Sequence, residues 1–123
     1  MTYKQMTYQF IQHMNNIMNT NIGSIAAITN DQTLMTINDE EYIGSRNIYA
    51  GLCKLNCKNF QMYPIYTQSQ PSGIAQENII LAGSGTLQIL NNLSYVQKNM
   101  TYTFLLRNIG GTYMISNMML LIV

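Results

Sequence analysis

Thr101–Val123, TYTFLLRNIGGTYMISNMMLLIV, decides how the rest of this chain is read. Thr101, Thr103 and Leu105 alternate with Met100, Tyr102, Phe104 and Leu106, an imperfect period of two that suits a strand. Asn108-Ile109-Gly110-Gly111 supplies residues that tolerate positive φ, so it reads as a hairpin connection. Thr112 to Val123 then runs apolar to the last residue. A strand this hydrophobic must be covered on both faces, by a second sheet or by a neighbouring subunit.

The same reading extends back along the chain. Asn78 to Ala82 is a strand, Gly83-Ser84-Gly85 a turn, Thr86 to Leu90 a further strand and Asn91-Asn92 another turn. Gln68 to Gly73 is the clearest loop. Phe60-Gln61-Met62-Tyr63 alternates, but Pro64 would cost a ladder hydrogen bond in a central strand, which assigns the stretch to an edge or a bulge. Arg46 to Leu55 reads as a longer strand. Thr33 to Ile37 forms another, closed by Asn38-Asp39-Glu40-Glu41, and Ser24 to Thr29 a third, ending in a turn at Asn30-Asp31.

Only Tyr3 to Asn19 has a helical period. Tyr3, Met6, Phe10, His13 and Ile17 recur at three- and four-residue steps, and Met14 and Met18 widen the stripe. Asn19, Asn21 and Gly23 are stop signals. Such a stripe suits a helix lying on its own sheet, and its spacing also suits a short seam shared between subunits. The expected architecture is mainly β: an antiparallel β-sandwich of jelly-roll type with eight to ten strands over residues 23–123. One amphipathic helix at residues 1–22 precedes it and belongs to the same folding unit.

Composition narrows the function. Charged residues make up 9% of the chain and hydrophobic ones 47%, where an ordinary domain carries about 25% charged residues. Asn, Gln, Ser and Thr fill the polar positions instead, a neutral surface suited to packing against copies of itself or another protein. The net charge is +1, and Lys4, Arg46, Lys54, Lys58, Lys98 and Arg107 are scattered. Nucleic acid is therefore not an expected partner, since it needs cations gathered in one patch. The longest apolar run, Met118 to Val123, is far below the roughly 18 residues that span a bilayer, so no membrane insertion is expected. No apolar leader follows Met1, which predicts synthesis in the cytoplasm without a signal peptide.

Groups for chemistry do not converge. A zinc site needs four ligands, and Cys53 and Cys57 have only His13 to join them, so neither metal nor cofactor is expected. Their four-residue spacing leaves free thiols and a disulfide both open. Asp39, Glu40 and Glu41 crowd the Asn38–Glu41 turn without the spacing of a calcium loop; a solvated turn is the default and calcium the alternative. Gly83-Ser84-Gly85 and Gly110-Gly111 precede no helix that would bind a phosphate. The chain reads as non-enzymatic. Tyr42, Tyr49, Tyr63 and Tyr66 lie near strand ends or the 68–73 loop and are candidate recognition residues, because tyrosine offers rigid contact area with a polar tip. Phe10 and Ile17 on the helix, with Met118 and Leu121 on the last strand, are the candidate oligomer interface. Leu121→Asp is expected to abolish folding or assembly.

In plan, with a short N-terminal helix, a charge-poor strand-rich body and an apolar last strand, the chain resembles virion accessory proteins, the capsid-decorating or fibre-head subunits of phages and other viruses. Thr112 to Val123 also resembles the closing strand of trimeric jelly-roll heads of the tumour-necrosis-factor type. The resemblance implies a virion structural protein: a homo-oligomer, trimer favoured, that binds a capsid shell or a host surface. The alternative is a cell-surface or secreted adhesin-like domain that binds glycan through its Tyr- and Asn-bearing loops.

Overall fold

Among the described residues six strands form one sheet, and three helical segments pack against it. The computed structural model describes the backbone of residues 3–72, 78–109 and 112–123, and the side chains of these apart from 3, 64–72 and 109. In chain order the elements are α1 (Tyr3–Thr20), a 3-10 helix (Ile22–Ile28), β1 (Leu34–Ile37), β2 (Glu40–Ile43), α2 (Ser45–Leu55), β3 (Cys57–Ser72), β4 (Asn78–Asn91), β5 (Ser94–Ile109) and β6 (Thr112–Ile122). The strands lie in the order β2-β1-β6-β5-β4-β3. All neighbours are antiparallel except β1 and β6, which run parallel.

This is an α+β architecture with a single mixed sheet, and it overturns the expected jelly-roll sandwich. Two misread segments account for the error. Arg46–Leu55, expected as a strand, is α2, and Ser24–Thr29 lies mostly in the 3-10 helix. In α2, Ile48 and Leu52 are buried at helical spacing, while Asn56 closes the helix in the left-handed region with its N–H on the Cys53 carbonyl. The supposed turn Gly83-Ser84-Gly85 runs straight through β4. There the glycine answers a close approach rather than a turn. A Cβ on Gly85 would overlap the Gln61 carbonyl oxygen and stand 2.7 Å from Met100 Cε.

Other expectations hold. β3 is an edge strand with irregular register between Lys58 and Gln61 and between Tyr63 and Gln68, the second of which spans Pro64. Thr33–Ile37 contains β1, and Asn92-Leu93 turns β4 into β5. Four of the fifteen asparagines have a backbone role. Asn38, Asn56, Asn59 and Asn92 all adopt positive φ, a region that asparagine enters more readily than other non-glycine residues.

The core lies between the helices and one face of the sheet. Ile11, Met14, Ile17 and Met18 of α1, Ile25, Ile48 and Leu52 meet Met62, Leu81, Leu87, Met100, Tyr102, Phe104, Met118 and Leu120. Methionine fills much of this interior, as an unbranched side chain fits irregular gaps. Phe10 stacks edge-on against Phe104, with ring centroids 5.1 Å apart.

Two side chains on α1 stand in for a missing strand. β3 has no strand partner on its outer side among the described residues, yet the Phe60 N–H donates to Asn19 Oδ1 (2.8 Å) and Asn19 Nδ2 donates to the Phe60 carbonyl (2.8 Å). Asn15 does the same at Met62, receiving its N–H at 2.8 Å and donating to its carbonyl at 3.4 Å. Residues four apart on a helix thus match residues two apart on a strand. Asn19→Ala orphans two main-chain groups beside the buried Phe60, and it should cost about 2 kcal/mol in urea unfolding. A change below about 0.5 kcal/mol would mean that water satisfies them instead.

Candidate functional site: the open sheet face and the Tyr42 groove

Alternation along β4, β5, β6 and β1 sends one set of side chains to the core and the other to an open face turned away from α1. Three rows cross the middle of that face: Ile80, Leu105, Asn117 and Leu34; Ala82, Thr103, Met119 and Thr36; Ser84, Thr101 and Leu121. None of these residues is charged. Met119 and Leu121 are each 54% exposed and Ile80 is 42% exposed, which is high for large apolar side chains in the middle of a sheet. Arg107 and Lys58 stand at opposite ends, with Lys58 Nζ 4.0 Å from the centre of the Tyr95 ring.

The second feature lies where β2 meets α2. Tyr42 points from β2 toward the helix, and Gly51 makes room for its ring: a Cβ there would stand 2.8 Å from Tyr42 Cε1. The ring divides two hollows. One, of about 390 Å³, is lined by Ile37, Asn38, Asp39, Glu40 and Leu55; the other, of about 460 Å³, by Glu41, Ile43, Asn47 and Ala50; Tyr42, Gly51 and Lys54 border both. The Tyr42 hydroxyl donates to Glu40 Oε2 at 2.6 Å, and Lys54 Nζ lies 3.8 Å from the same oxygen. The hydrogen bond from Tyr42 and then the Lys54 charge hold the Glu40 carboxyl below its ordinary range; the same hydrogen bond and burial push the Tyr42 hydroxyl up. A carboxyl lowered on folding stabilises the fold above its unfolded pKa, and that contribution disappears as pH falls through the lowered value.

The expected interface residues separate. Ile17 and Met118 are 1% exposed and belong to the monomer's own core, and Phe10 is half-buried against Phe104. Leu121 alone of the four stands on the open face. The tyrosines also scatter. Tyr42 borders the groove, and Tyr49 is exposed on α2, its hydroxyl pushed up by a hydrogen bond with Cys53. Tyr63 is exposed on β3, 3.2 Å from the Thr86 hydroxyl, and the side chain of Tyr66 lies outside the described residues. Sequence reading missed Gly51, whose absent side chain admits Tyr42, and the pair Asn15 and Asn19; the four-residue spacing of the amides was the available signal.

Cys53 and Cys57 are free thiols, the first exposed on α2 and the second half-buried at the start of β3. Burial pushes the Cys57 thiol up. Iodoacetamide at neutral pH should therefore modify Cys53 first, with Cys57 slower by about tenfold, as followed by peptide mass spectrometry. Equal rates would contradict this placement. Among the described residues no three of His, Cys, Asp and Glu converge to hold a metal ion, and the Asn38–Glu41 segment is a two-residue turn leading into β2. No described helix is long and apolar enough to cross a membrane. The described core contains no Asp, Glu, His, Lys or Arg; its buried polar side chains are Thr7, Thr29 and Thr33, and the Tyr102 phenol is buried among its apolar residues.

The arrangement of helices over one mixed sheet is the fold of nuclear transport factor 2, also described as cystatin-like. The chain is similar to nuclear transport factor 2 from Cryptosporidium parvum (TM-score 0.79, 23% identity, 98% of this chain and 94% of that one). It is similar also to the yeast Ubp3-associated protein Bre5 (TM-score 0.81, 16% identity, 100% and 98%). A third likeness is to the C. albicans Mtr2–Mex67 M domain complex (TM-score 0.77, 11% identity, 97% and 94%). At these identities the likeness is one of fold. Neither a protein-family model nor a curated protein matches the sequence. These similarities overturn the resemblance to capsid-decorating and fibre-head subunits, and with it the virion location; they lend no support to a capsid partner or a trimer. The fold itself carries many functions, so activity has to be argued from the site.

Proposed function

We propose that this protein is a non-catalytic interaction module that pairs with a second copy of itself through the open face of its sheet. The observation that carries the reading is the row of exposed apolar side chains, Ile80, Met119 and Leu121, on a face whose middle holds no charge. A two-fold interface presents the same patch to itself, so any charge near its centre meets its own like. This face avoids that penalty, and a second sheet can lie on it at about 10 Å. Two of the similar structures are protein complexes, Mtr2 with the Mex67 M domain and Ubp3 with Bre5, which is in keeping with an interaction role. Among the described residues the buried core holds no Asp, Glu, His, Lys or Arg, which leaves the Tyr102 phenol as a weak candidate for proton transfer inside the fold.

Methionine oxidation tests the reading directly. Under hydroxyl-radical labelling Met119 should oxidise quickly in dilute solution and become protected as the protein is concentrated, while the buried Met62 and Met100 stay unreactive throughout. Met119 labelling that does not change with concentration would contradict the proposal.

A further inference from the structure

The two edges of the sheet are treated differently. On β3 the amides of Asn15 and Asn19 occupy the outward main-chain groups of Met62 and Phe60. On β2 no such side chain among the described residues covers Glu41. The turn Asn38-Asp39 makes Ile37 and Glu40 the pair that closes the hairpin, and the Gly44 N–H donates to the Thr33 carbonyl at 2.8 Å. Hydrogen-bonded and non-bonded pairs alternate between those points, so Glu41 faces away from β1 with its N–H and C=O directed outward. Ile43 faces the same way, but its carbonyl already receives Asn47 Nδ2 at 2.8 Å. Beside this edge runs the hollow floored by Tyr42 and Gly51 and walled by Ala50 of α2.

We propose that the groove between β2 and α2 captures an extended, basic segment of another protein, which adds to the Glu41 edge as a seventh strand. Open strand edges are templates for pairing, and an added strand gains affinity from main-chain hydrogen bonds and specificity from alternate side chains. Charge selects the occupant. All four described acids, Asp31, Asp39, Glu40 and Glu41, lie on β2 or the segments flanking β1 and β2, in a chain whose net charge is +1. Against them the groove itself sets one cation, Lys54, already paired with Glu40. An arginine or lysine on one side of an added strand reaches Glu40 and the face of Tyr42; on the other side it reaches Glu41.

The test uses a fluorescein-labelled octapeptide of alternating Arg and Thr, with an alternating Glu and Thr peptide as control, titrated by anisotropy. The basic peptide should bind, weaken with added salt, and slow hydrogen exchange at the Glu41 amide. Glu41→Lys and, separately, Ala50→Trp, which fills the groove without changing charge, should each weaken binding by about tenfold or more. Both sites are exposed, and circular dichroism checks that each variant folds. The proposal is overturned by equal binding of the acidic peptide, by no binding at all, by wild-type affinity in both variants, or by binding that leaves the Glu41 amide unprotected. The outcome is separate from pairing through the open face, which Met119 labelling reports on its own.

Discussion

Leu121→Asp yields a folded monomer. The side chain stands on the open face at 54% exposure, so an aspartate there remains hydrated in the single chain and costs the fold little. Thermal unfolding should shift by only a few degrees. In the pair the same substitution acts twice, because a two-fold interface brings both copies of the residue into it. An unpaired charge in a buried interface costs roughly 3 kcal/mol or more, which raises the dissociation constant by a hundredfold or more. Analytical ultracentrifugation of the wild-type chain and the variant measures it. A variant that fails to fold would return Leu121 to the core, where the sequence reading had placed its strand; a variant that still pairs would remove the open face from the interface.

Gly85→Ala should have the largest effect on stability. The added methyl meets a carbonyl oxygen of β3, not the end of a flexible side chain, so the strand pair must shift to admit it. Overpacking of this kind costs about 3 kcal/mol, which lowers the midpoint of thermal unfolding by about 10 °C in a chain of this size. The control is Gly23→Ala, where the nearest atom is the flexible Asn21 side chain at 3.3 Å, and which should change the midpoint little. Equal effects at the two positions would mean that β3 and β4 are not as close at Gln61 as the structure places them.

How far the fold could be read depended on which forces left a local trace. The α1 stripe, the β1 strand, the β5–β6 alternation and the edge character of β3 at Pro64 all follow from residue spacing, and all are present. α2 was missed because Ile48, Tyr49 and Leu52 also suit a strand. Its helical signal lay in the spacing of Ile48, Leu52 and Leu55 and in Asn56 as a closing residue. Together with the 3-10 helix expected as a strand over Ser24–Thr29, that error turned an α+β fold into a sandwich. The β4 glycines misled for a different reason: Gly85 answers contact with a residue distant in sequence, which no local pattern records. The parallel pairing of β1 with β6 is likewise invisible locally. It is held by the Thr33 hydroxyl on the Ile115 carbonyl (2.8 Å) and by Asn38, whose side chain receives the Ile122 N–H (2.8 Å).

The same limit applies to function. Low charge suggests packing between proteins, an inference that needs only composition. Placing the surface needed the topology. Of four expected interface residues, only Leu121 faces outward, since which side of β6 meets α1 is set by pairing with β5 and not by β6 alone. The terminal strand was expected to be covered on both faces. The helices cover one, and the second face is the one proposed to meet another copy.

Light scattering of the purified chain across a range of concentrations tests that claim most directly. The account predicts a mass rising to twice the 14.0 kDa of a single chain and stopping there. A mass that stays at one chain, or that settles at three, would contradict it.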